Sequence, residues 1–149
     1  MSYRVAVMHG ANVDQLGRRD PELYGTLTLA QLERQIAEDA ERLELEVSFF
    51  HTNYEGAFIE HLHSLAGNAD AILLNPGAWT HYAWAIRDAL EIAALPALEI
   101  HLSDISAREP WRAVSVIEDL CFARIYGRGP AGYREALEQL REELDRQAS

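Results

Sequence analysis

Lysine is absent from the 149-residue chain, whose 13 basic residues are all arginine and are outnumbered by 24 aspartates and glutamates. The formal net charge of −11 repels phosphate backbones and anionic lipid surfaces, so the sequence predicts neither a nucleic-acid partner nor a membrane partner. Arginine is the basic residue best suited to bind carboxylates through two parallel hydrogen bonds. The basic residues present therefore suit a small anionic ligand.

Cysteine is nearly absent too, since Cys121 is the single thiol. This excludes a disulfide within the chain, and its apolar surroundings predict a small buried side chain. No apolar run approaches the length of a membrane span, and the N-terminus lacks the profile of a signal peptide, so we expect a cytoplasmic protein. No cluster of His, Cys and Asp has metal-ligand spacing, and no glycine-rich phosphate loop occurs. We therefore expect no metal, no nucleotide and no other cofactor.

Short apolar runs alternate with amphipathic stretches along the whole chain. Five runs are predicted as strands: YRVAVMH, EVSFFH, DAILLN, PALEIH and LCFARIY. Helices are predicted between the first four and at the C-terminus, with Thr28 and Gln31 as a capping box at the first helix. This order favours one α/β domain over residues 1–149, a flavodoxin-like, three-layer, doubly wound sheet with five parallel strands in the order 2-1-3-4-5.

Three polar loops follow strands 1, 3 and 4 of the predicted sheet. In a doubly wound sheet, ligands bind beyond the carboxyl ends of the strands, near the switch point between strands 1 and 3. Glu99 and His101 are two residues apart on strand 4 and therefore share one face. A carboxylate beside an imidazole suits a general acid or base, and Ser103 continues that face as a donor. The alternative is a structural histidine at a strand end, but the converging loops favour a catalytic one.

The loop NPGAWTH after strand 3 contains polar groups that face the same edge. Asn75 ends the strand and can either bind an oxygen-rich ligand or stabilise the turn, and the motif alone favours neither. Thr80 is predicted to cap a helix that begins near His81. The positive end of that helix would then point into the crevice.

The first loop contains the segment GRRDPELYG at residues 17–25, predicted to be neither helix nor strand. Tyrosine has a pKa of about 10 in water and is a poor base at neutral pH unless a cation stabilises the phenolate. Arg18 or Arg19 could supply that cation to Tyr24, and the glycines at both ends could act as hinges. A solvated arginine pair is the alternative, although the other two loops favour an active site.

Together these loops resemble the type II 3-dehydroquinate dehydratases over nearly the whole chain. The matching segments are NVDQLGRRDPELYG, NYEG, NPGAWTH, IRDAL, EIHLSDISARE, WR and the closing GPAGY. The resemblance implies an enzyme, a hydro-lyase that removes water from 3-dehydroquinate by anti elimination through an enolate, without a cofactor. The product would be 3-dehydroshikimate, in the shikimate pathway of aromatic amino acid biosynthesis or in quinate catabolism.

The resemblance also implies catalytic roles for five residues. Tyr24 would be the base, and Arg19 would favour its phenolate form. Asn12 would hold a water that stabilises the enolate. His101, oriented by Glu99, would protonate the departing hydroxyl group.

Substrate binding and assembly are implied in the same way. The substrate carboxylate would be bound by Asn75, Ser103 and the amide of Leu102, and the ring hydroxyls by His81 and Arg112. Asp88 would support the site of a neighbouring subunit in a trimer, and trimers would pack into a dodecamer.

The chain departs from the family pattern near these positions. The departures comprise His9, Ala11, Val13, Asp14, Asp104, Ser106, Ala113, Glu118, Asp119 and Arg124. They leave open whether substrate preference, loop motion or assembly differ. The alternatives are a paralogous lyase acting on a related cyclic polyol carboxylate such as quinate, a non-catalytic flavodoxin-like binding or signalling module, and an inactive family member.

Overall fold

Residues 2–149 are described by the computed structural model, in which five parallel strands form one sheet. The strands are β1 (Tyr3–His9), β2 (Leu45–His51), β3 (Ala71–Asn75), β4 (Ala97–His101) and β5 (Ala123–Tyr126). Their order is β2-β1-β3-β4-β5, with every neighbouring pair parallel. The predicted flavodoxin-like sheet is thereby confirmed. β5 is shorter than predicted, because Cys121 and Phe122 precede it as irregular chain.

Five α-helices connect or follow the strands within residues 2–149. They are α1 (Pro21–Tyr24), α2 (Leu29–Arg42), α3 (Glu55–His63), α4 (Trp84–Ala93) and α5 (Ala131–Ala148). Short 3-10 turns lie at Val13–Gln15, Gly77–His81, Ile105–Ala107, Pro110–Ala113 and Glu118–Leu120.

The helices cover both faces of the sheet, because successive strand residues point to opposite sides. On one side Val5 and Val7 belong to an apolar cluster that contains the buried residues of α2 and α5. On the other side Ala6 and Met8 belong to a cluster that contains the buried residues of α3 and α4. All five residues of β3 are buried, as expected for a central strand covered on both faces.

The segment at residues 17–25 contains a helical turn, so the prediction that it has no helix was wrong. Asp20 caps α1 by accepting a hydrogen bond from the Glu22 amide at 3.0 Å. Pro21 occupies the first helical position, where its missing N–H leaves no hydrogen bond unmade. The turn ends at Tyr24, which it holds toward the sheet.

Of the two other helix starts that the sequence predicted, the one at Thr28 is confirmed and the one at Thr80 is wrong. The capping box of α2 is confirmed, since Thr28 Oγ1 accepts from the Gln31 amide and Gln31 Oε1 accepts from the Thr28 amide. Thr80 does not cap a helix, because α4 begins only at Trp84 and Gly77–His81 is a 3-10 turn. The Thr80 hydroxyl instead donates to the buried Glu99 carboxylate at 2.5 Å. The N-terminus of α4, which carries the positive end of the helix dipole, therefore does not lie at His81 as predicted.

The loops after β1 and β3 contact each other closely. The Gly10 amide donates to the Asn75 carbonyl at 2.7 Å. A Cβ at Gly10 would collide with the Pro76 backbone, and one at Gly77 would collide with Ala11. Gly77 also has a φ of 66°, a conformation that favours glycine. These contacts bring the first two polar loops to one edge of the sheet.

Candidate active site

A pocket opens at the carboxyl ends of β1, β3 and β4, where the three polar loops meet. The empty space within it, including the part open to solvent at its mouth, is about 670 Å³. Of the predicted site residues, the pocket is lined by Asn12, Arg19, Tyr24, Asn75, His81, His101, Leu102, Ser103 and Arg112. The remaining lining residues are Ala11, Val13, Leu16, Gly77, Ala78, Ile105 and Arg108. The structure therefore brings together residues from all three loops.

Tyr24 lies between two arginines in this pocket. The Arg19 guanidinium carbon is 3.9 Å from the centre of the Tyr24 ring. The hydrogen bond to the phenol oxygen comes from Arg108, whose NH1 lies 2.7 Å away. Arg19 therefore lies over the ring face and Arg108 at the phenol oxygen. Arg18 instead donates to Gln15 Oε1 at 3.0 Å, so only one arginine of the predicted pair contacts the tyrosine.

Arg108 was not predicted as a site residue. Its NH1 also donates to Ser103 Oγ at 3.2 Å, so that the guanidinium joins the base candidate to the serine at the end of β4. It is 84 positions from Tyr24, and no local pattern distinguishes it from Arg112, the other arginine of its loop. The available signals were the position of the loop at the carboxyl edge and the match of the segment EIHLSDISARE to the family.

Glu99 and His101 form a buried pair, as their spacing on β4 predicted. The His101 Nε2 and Glu99 Oε2 are 2.6 Å apart, so the ring N–H donates to the carboxylate and Nδ1 is the nitrogen left for a ligand. Glu99 also accepts from Thr80 at 2.5 Å and from Ser115 at 2.7 Å. Glu99 is fully buried behind the pocket, which explains why it does not line the wall.

The environment of Glu99 stabilises its ionised form. Burial by itself raises the pKa of a carboxyl group, but the hydrogen bond and charge of His101, together with the Thr80 and Ser115 hydroxyls, outweigh it. The pKa of Glu99 consequently lies below its usual value. An ionised Glu99 fixes the ring orientation and tautomer of His101, as required for directed proton transfer.

His81 and Arg112 lie on the side of the pocket formed by the 3-10 turns. His81 Nδ1 donates to the Val114 carbonyl at 2.6 Å, leaving Nε2 for a ligand. Burial lowers the pKa of His81, and the positive neighbours His101 and Arg112 act in the same direction, against the Val114 carbonyl. Arg112 donates from Nε to Glu109 at 2.7 Å. A neutral His81 beside a cation can bind hydroxyl groups.

Asn12 and Asn75 lie at the ends of neighbouring polar loops. Asn12 has a left-handed backbone conformation with φ of 68°, and its backbone amide donates to Asn53 Oδ1 at 2.8 Å. Asn75 Oδ1 accepts from the Gly77 amide at 3.0 Å, so it stabilises the turn and lines the pocket as well. The two alternatives weighed for Asn75 are therefore compatible.

Some expected residues lie outside the pocket. Asp88 is exposed on α4 and does not line it, so its role toward a neighbouring subunit stays a prediction. His9 is fully buried and does not line the pocket, and its Nε2 lies 3.0 Å from Glu33 Oε2. Asp14 instead accepts from Asn53 at 3.2 Å. Neither departure from the family pattern borders the pocket, whereas Ala11 does.

Residues 2–149 contain neither a metal-binding cluster nor a helix that could span a membrane. In that part of the chain, no group of three or more His, Cys, Asp or Glu side chains is arranged to hold a metal ion. Over the same residues, no helix combines the length and apolar character needed to cross a membrane.

The pocket combines a base candidate, an acid candidate and three arginines. Tyr24 reaches it from the end of α1 and His101 from the end of β4, and Arg19, Arg108 and Arg112 line it. Such a site can bind a small anion, remove a proton from one position and deliver a proton to another. A reaction that fits is an elimination in which C–H and C–O bonds break on the same ligand.

Comparisons with known proteins agree with these features. The family model described as dehydroquinase class II matches residues 3–141. A 3-dehydroquinate dehydratase from Anoxybacillus flavithermus is 43% identical over 134 residues, which cover 90% of each chain. The 3-dehydroquinate dehydratase 2 of Pseudomonas putida is 42% identical over 145 residues, 97% of each chain. The crystal structure of a type II dehydroquinase from Propionibacterium acnes superposes with a TM-score of 0.90 at 37% identity, covering 95% of this chain and 98% of that one.

Proposed function

The chain belongs to the class II dehydroquinase family, and we propose that it removes water from 3-dehydroquinate to give 3-dehydroshikimate. The observation that carries the mechanism is the pairing, in one pocket, of an arginine-bonded Tyr24 with a Glu99-bonded His101. The first group suits a base and the second suits an acid.

Proton removal is assigned to Tyr24. The phenolate takes a proton from the carbon beside the substrate ketone, and the C–H electrons move toward the carbonyl oxygen to form an enolate. Arg108 donates to the phenol oxygen and Arg19 covers the ring face, so both favour the anionic form of the base. A water held by Asn12 would stabilise the enolate oxygen.

Loss of the hydroxyl group is assigned to His101. The enolate electrons form the new C=C bond as the C–O bond breaks, and the ring of His101 gives its Nδ1 proton to the departing oxygen. Glu99 stabilises the imidazolium before transfer and the correct tautomer afterwards. One proton enters Tyr24 and one leaves His101, so the products are one enone and one water, and proton exchange with solvent restores both groups.

Substrate orientation is assigned to the remaining polar groups. Asn75, Ser103 and the Leu102 amide would bind the carboxylate at the end of β3 and β4. His81 and Arg112 would bind the ring hydroxyls. Because Tyr24 ends α1 and His101 ends β4, the two side chains enter the pocket from different elements and can act on opposite faces of the ring, as an anti elimination requires.

The assembly and the cellular setting belong to the same proposal. The enzyme would form trimers, with Asp88 of one subunit supporting the site of the next, and trimers would associate into a dodecamer. It would need no cofactor and would act in the cytoplasm, in aromatic biosynthesis or quinate breakdown.

The first experiment mixes the purified protein with 3-dehydroquinate and follows the ultraviolet absorbance of the conjugated enone. We expect a rise in wild type, and a loss of at least 100-fold in Tyr24→Phe because the phenol oxygen that accepts the proton is gone. Circular dichroism of both proteins serves as the folding control.

Two results would contradict the proposal in different ways. A folded wild type without activity would point to a related polyol acid such as quinate, or to a binding protein. An active Tyr24→Phe variant would leave the reaction in place but assign the base to another group.

A further inference from the structure

Arg124 lies behind the active site on β5, next to the residue that supports His101. Glu99 and Arg124 are register partners on β4 and β5, so their side chains share one face of the sheet. Arg124 Nε is 3.4 Å from Glu99 Oε1. The second contact of the guanidinium is outward, where NH1 donates to Glu118 Oε2 at 3.0 Å.

The guanidinium is mostly enclosed, with 17% of the side chain exposed. Its Nε and NH2 are buried and, within residues 2–149, have no hydrogen-bond partner. The contact with Glu99 is thus a charge interaction without a good hydrogen bond. A buried charge of this kind acts strongly on its neighbours, because little water screens it.

The two oxygens of Glu99 face different partners. Oε2 accepts from His101 and Thr80, whereas Oε1 accepts from Ser115 and lies beside Arg124. A cation at Oε1 offsets part of the negative potential that Glu99 exerts on the His101 ring. Less negative potential at the ring makes the imidazolium less stable and therefore a stronger acid.

We propose that Arg124 is a positioning residue of the dehydration site, which offsets part of the negative potential of Glu99 at the ring and thereby strengthens His101 as the proton donor. This inference rests on the proposed function only where it concerns the rate. The effect on the proton affinity of His101 exists in the protein without any substrate.

Other charged or titratable groups also face Glu99 and His101 from the surrounding elements. Counting Glu118 and Tyr126, which contact Arg124, they are Tyr24, His81, Arg108, Arg112, Glu118, Cys121 and Tyr126. His81 is neutral at neutral pH because burial lowers its pKa, and burial raises the pKa of the Cys121 thiol to about 12. Variants of Arg124 leave all of these groups in place, so a changed His101 titration reports on the guanidinium.

The test compares Arg124→Met, Arg124→Lys and Glu118→Gln with a matched arginine control, Arg128→Gln. Arg128 follows β5 closely but is 61% exposed and pairs with Glu135. Two quantities are measured for each protein: the alkaline limb of kcat against pH, and the midpoint of the His101 ring titration by NMR without substrate.

Arg124→Met is expected to move both the alkaline limb and the ring titration to higher pH by about one pH unit. The plateau kcat should fall roughly threefold, because a weaker acid transfers its proton more slowly. Arg124→Lys should stay near wild type. Glu118→Gln should move both quantities slightly to lower pH, since Arg124 loses its outward partner and acts more strongly on Glu99. Arg128→Gln should change nothing.

An unchanged His101 titration in folded Arg124→Met overturns the inference. If that variant does not fold, Glu118→Gln decides, and an unchanged titration there overturns it equally. If the titration moves while wild type lacks dehydratase activity, the inference about His101 stands and the proposed function fails.

Discussion

Tyr24 has two cationic neighbours that contact different parts of its ring. Arg19 covers the face at 3.9 Å from the ring centre, where it is attracted to the π electrons. Arg108 donates to the oxygen at 2.7 Å, and a charge-assisted hydrogen bond strengthens as the oxygen becomes an anion. At the scale of single residues, Arg108 should therefore contribute more than Arg19 to the reactivity of the base.

Arg108→Gln is expected to lower kcat roughly 10- to 100-fold, the worth of one hydrogen bond to a charged group. The activity that remains should rise toward alkaline pH, where the phenolate forms without help. Steady-state kinetics over a pH series measures both effects.

Arg18→Gln is the matched control for that prediction, because Arg18 lies in the same loop as Tyr24 but its side chain donates to Gln15. Its kcat should equal that of wild type. Equal losses in the two variants would indicate a general effect of loop charge and would contradict the specific role of Arg108.

At the scale of elements, the strand ends position the proposed acid and the proposed carboxylate-binding groups. Glu99 and His101 share the face of β4 that packs toward α4, whereas Asn75 ends the neighbouring strand. The two-residue period predicted the Glu99–His101 pair from the sequence, and the alternation of strands and helices predicted the strand order. These features depend on local patterns, which a sequence displays directly.

Other features depend on distant contacts and escaped the sequence patterns. Thr80 stands where a helix cap is expected, yet its hydroxyl binds a carboxylate 19 positions away. Arg108 bonds a tyrosine 84 positions away. The turn at Pro21–Tyr24 is too short for an apolar period, although Asp20 and Pro21 are a good start signal. Only the folded chain brings such partners together.

A surface pair fixes the start of β1 to the start of β3. Asp70 accepts from the Arg4 amide at 2.7 Å and from its guanidinium at 3.3 Å. These hydrogen bonds from Arg4 are the main cause of the lowered pKa of Asp70. Burial acts in the opposite direction but does not outweigh them. A lowered pKa means that the folded state binds the ionised form better, so the stabilisation is present at neutral pH and lost as pH falls.

Asp70→Asn should lower the free energy of unfolding at pH 7 by about 0.5 kcal/mol, a value suited to a partly exposed and screened pair. The difference from wild type should disappear as the pH falls below about 4, through the lowered pKa of the carboxyl group. Urea unfolding of both proteins at several pH values measures this difference in the free energy of unfolding. Glu46→Gln on the exposed side of β2 is the control, and a pH-independent difference for Asp70→Asn would contradict the linkage.

At the scale of the whole molecule, α4 presents a surface that suits a second subunit. Trp84 at its start is 64% exposed, Tyr82 just before it is 59% exposed, and Ile92 is 67% exposed. Exposed apolar groups of this size are common at protein interfaces. Asp88 lies on the same helix and faces solvent in the single chain. These features support the proposed trimer, in which Asp88 would approach the site of a neighbouring subunit.

Mixed oligomers provide the decisive test of that assembly. Tyr24→Phe lacks the base, and Asp88→Asn lacks the group contributed to the neighbour, so each variant alone should have low activity. When the two are co-expressed and mixed trimers are purified through different tags, some sites combine an intact Tyr24 with an intact Asp88 from the next subunit. Each purified mixed trimer, if it is a closed ring, should restore one of its three sites, or about a third of the total. Tyr24→Phe mixed with the double variant should restore none. If mixed trimers form without regaining activity, or if Asp88→Asn alone is fully active, Asp88 does not act across the subunit boundary, and each chain builds its site from its own residues.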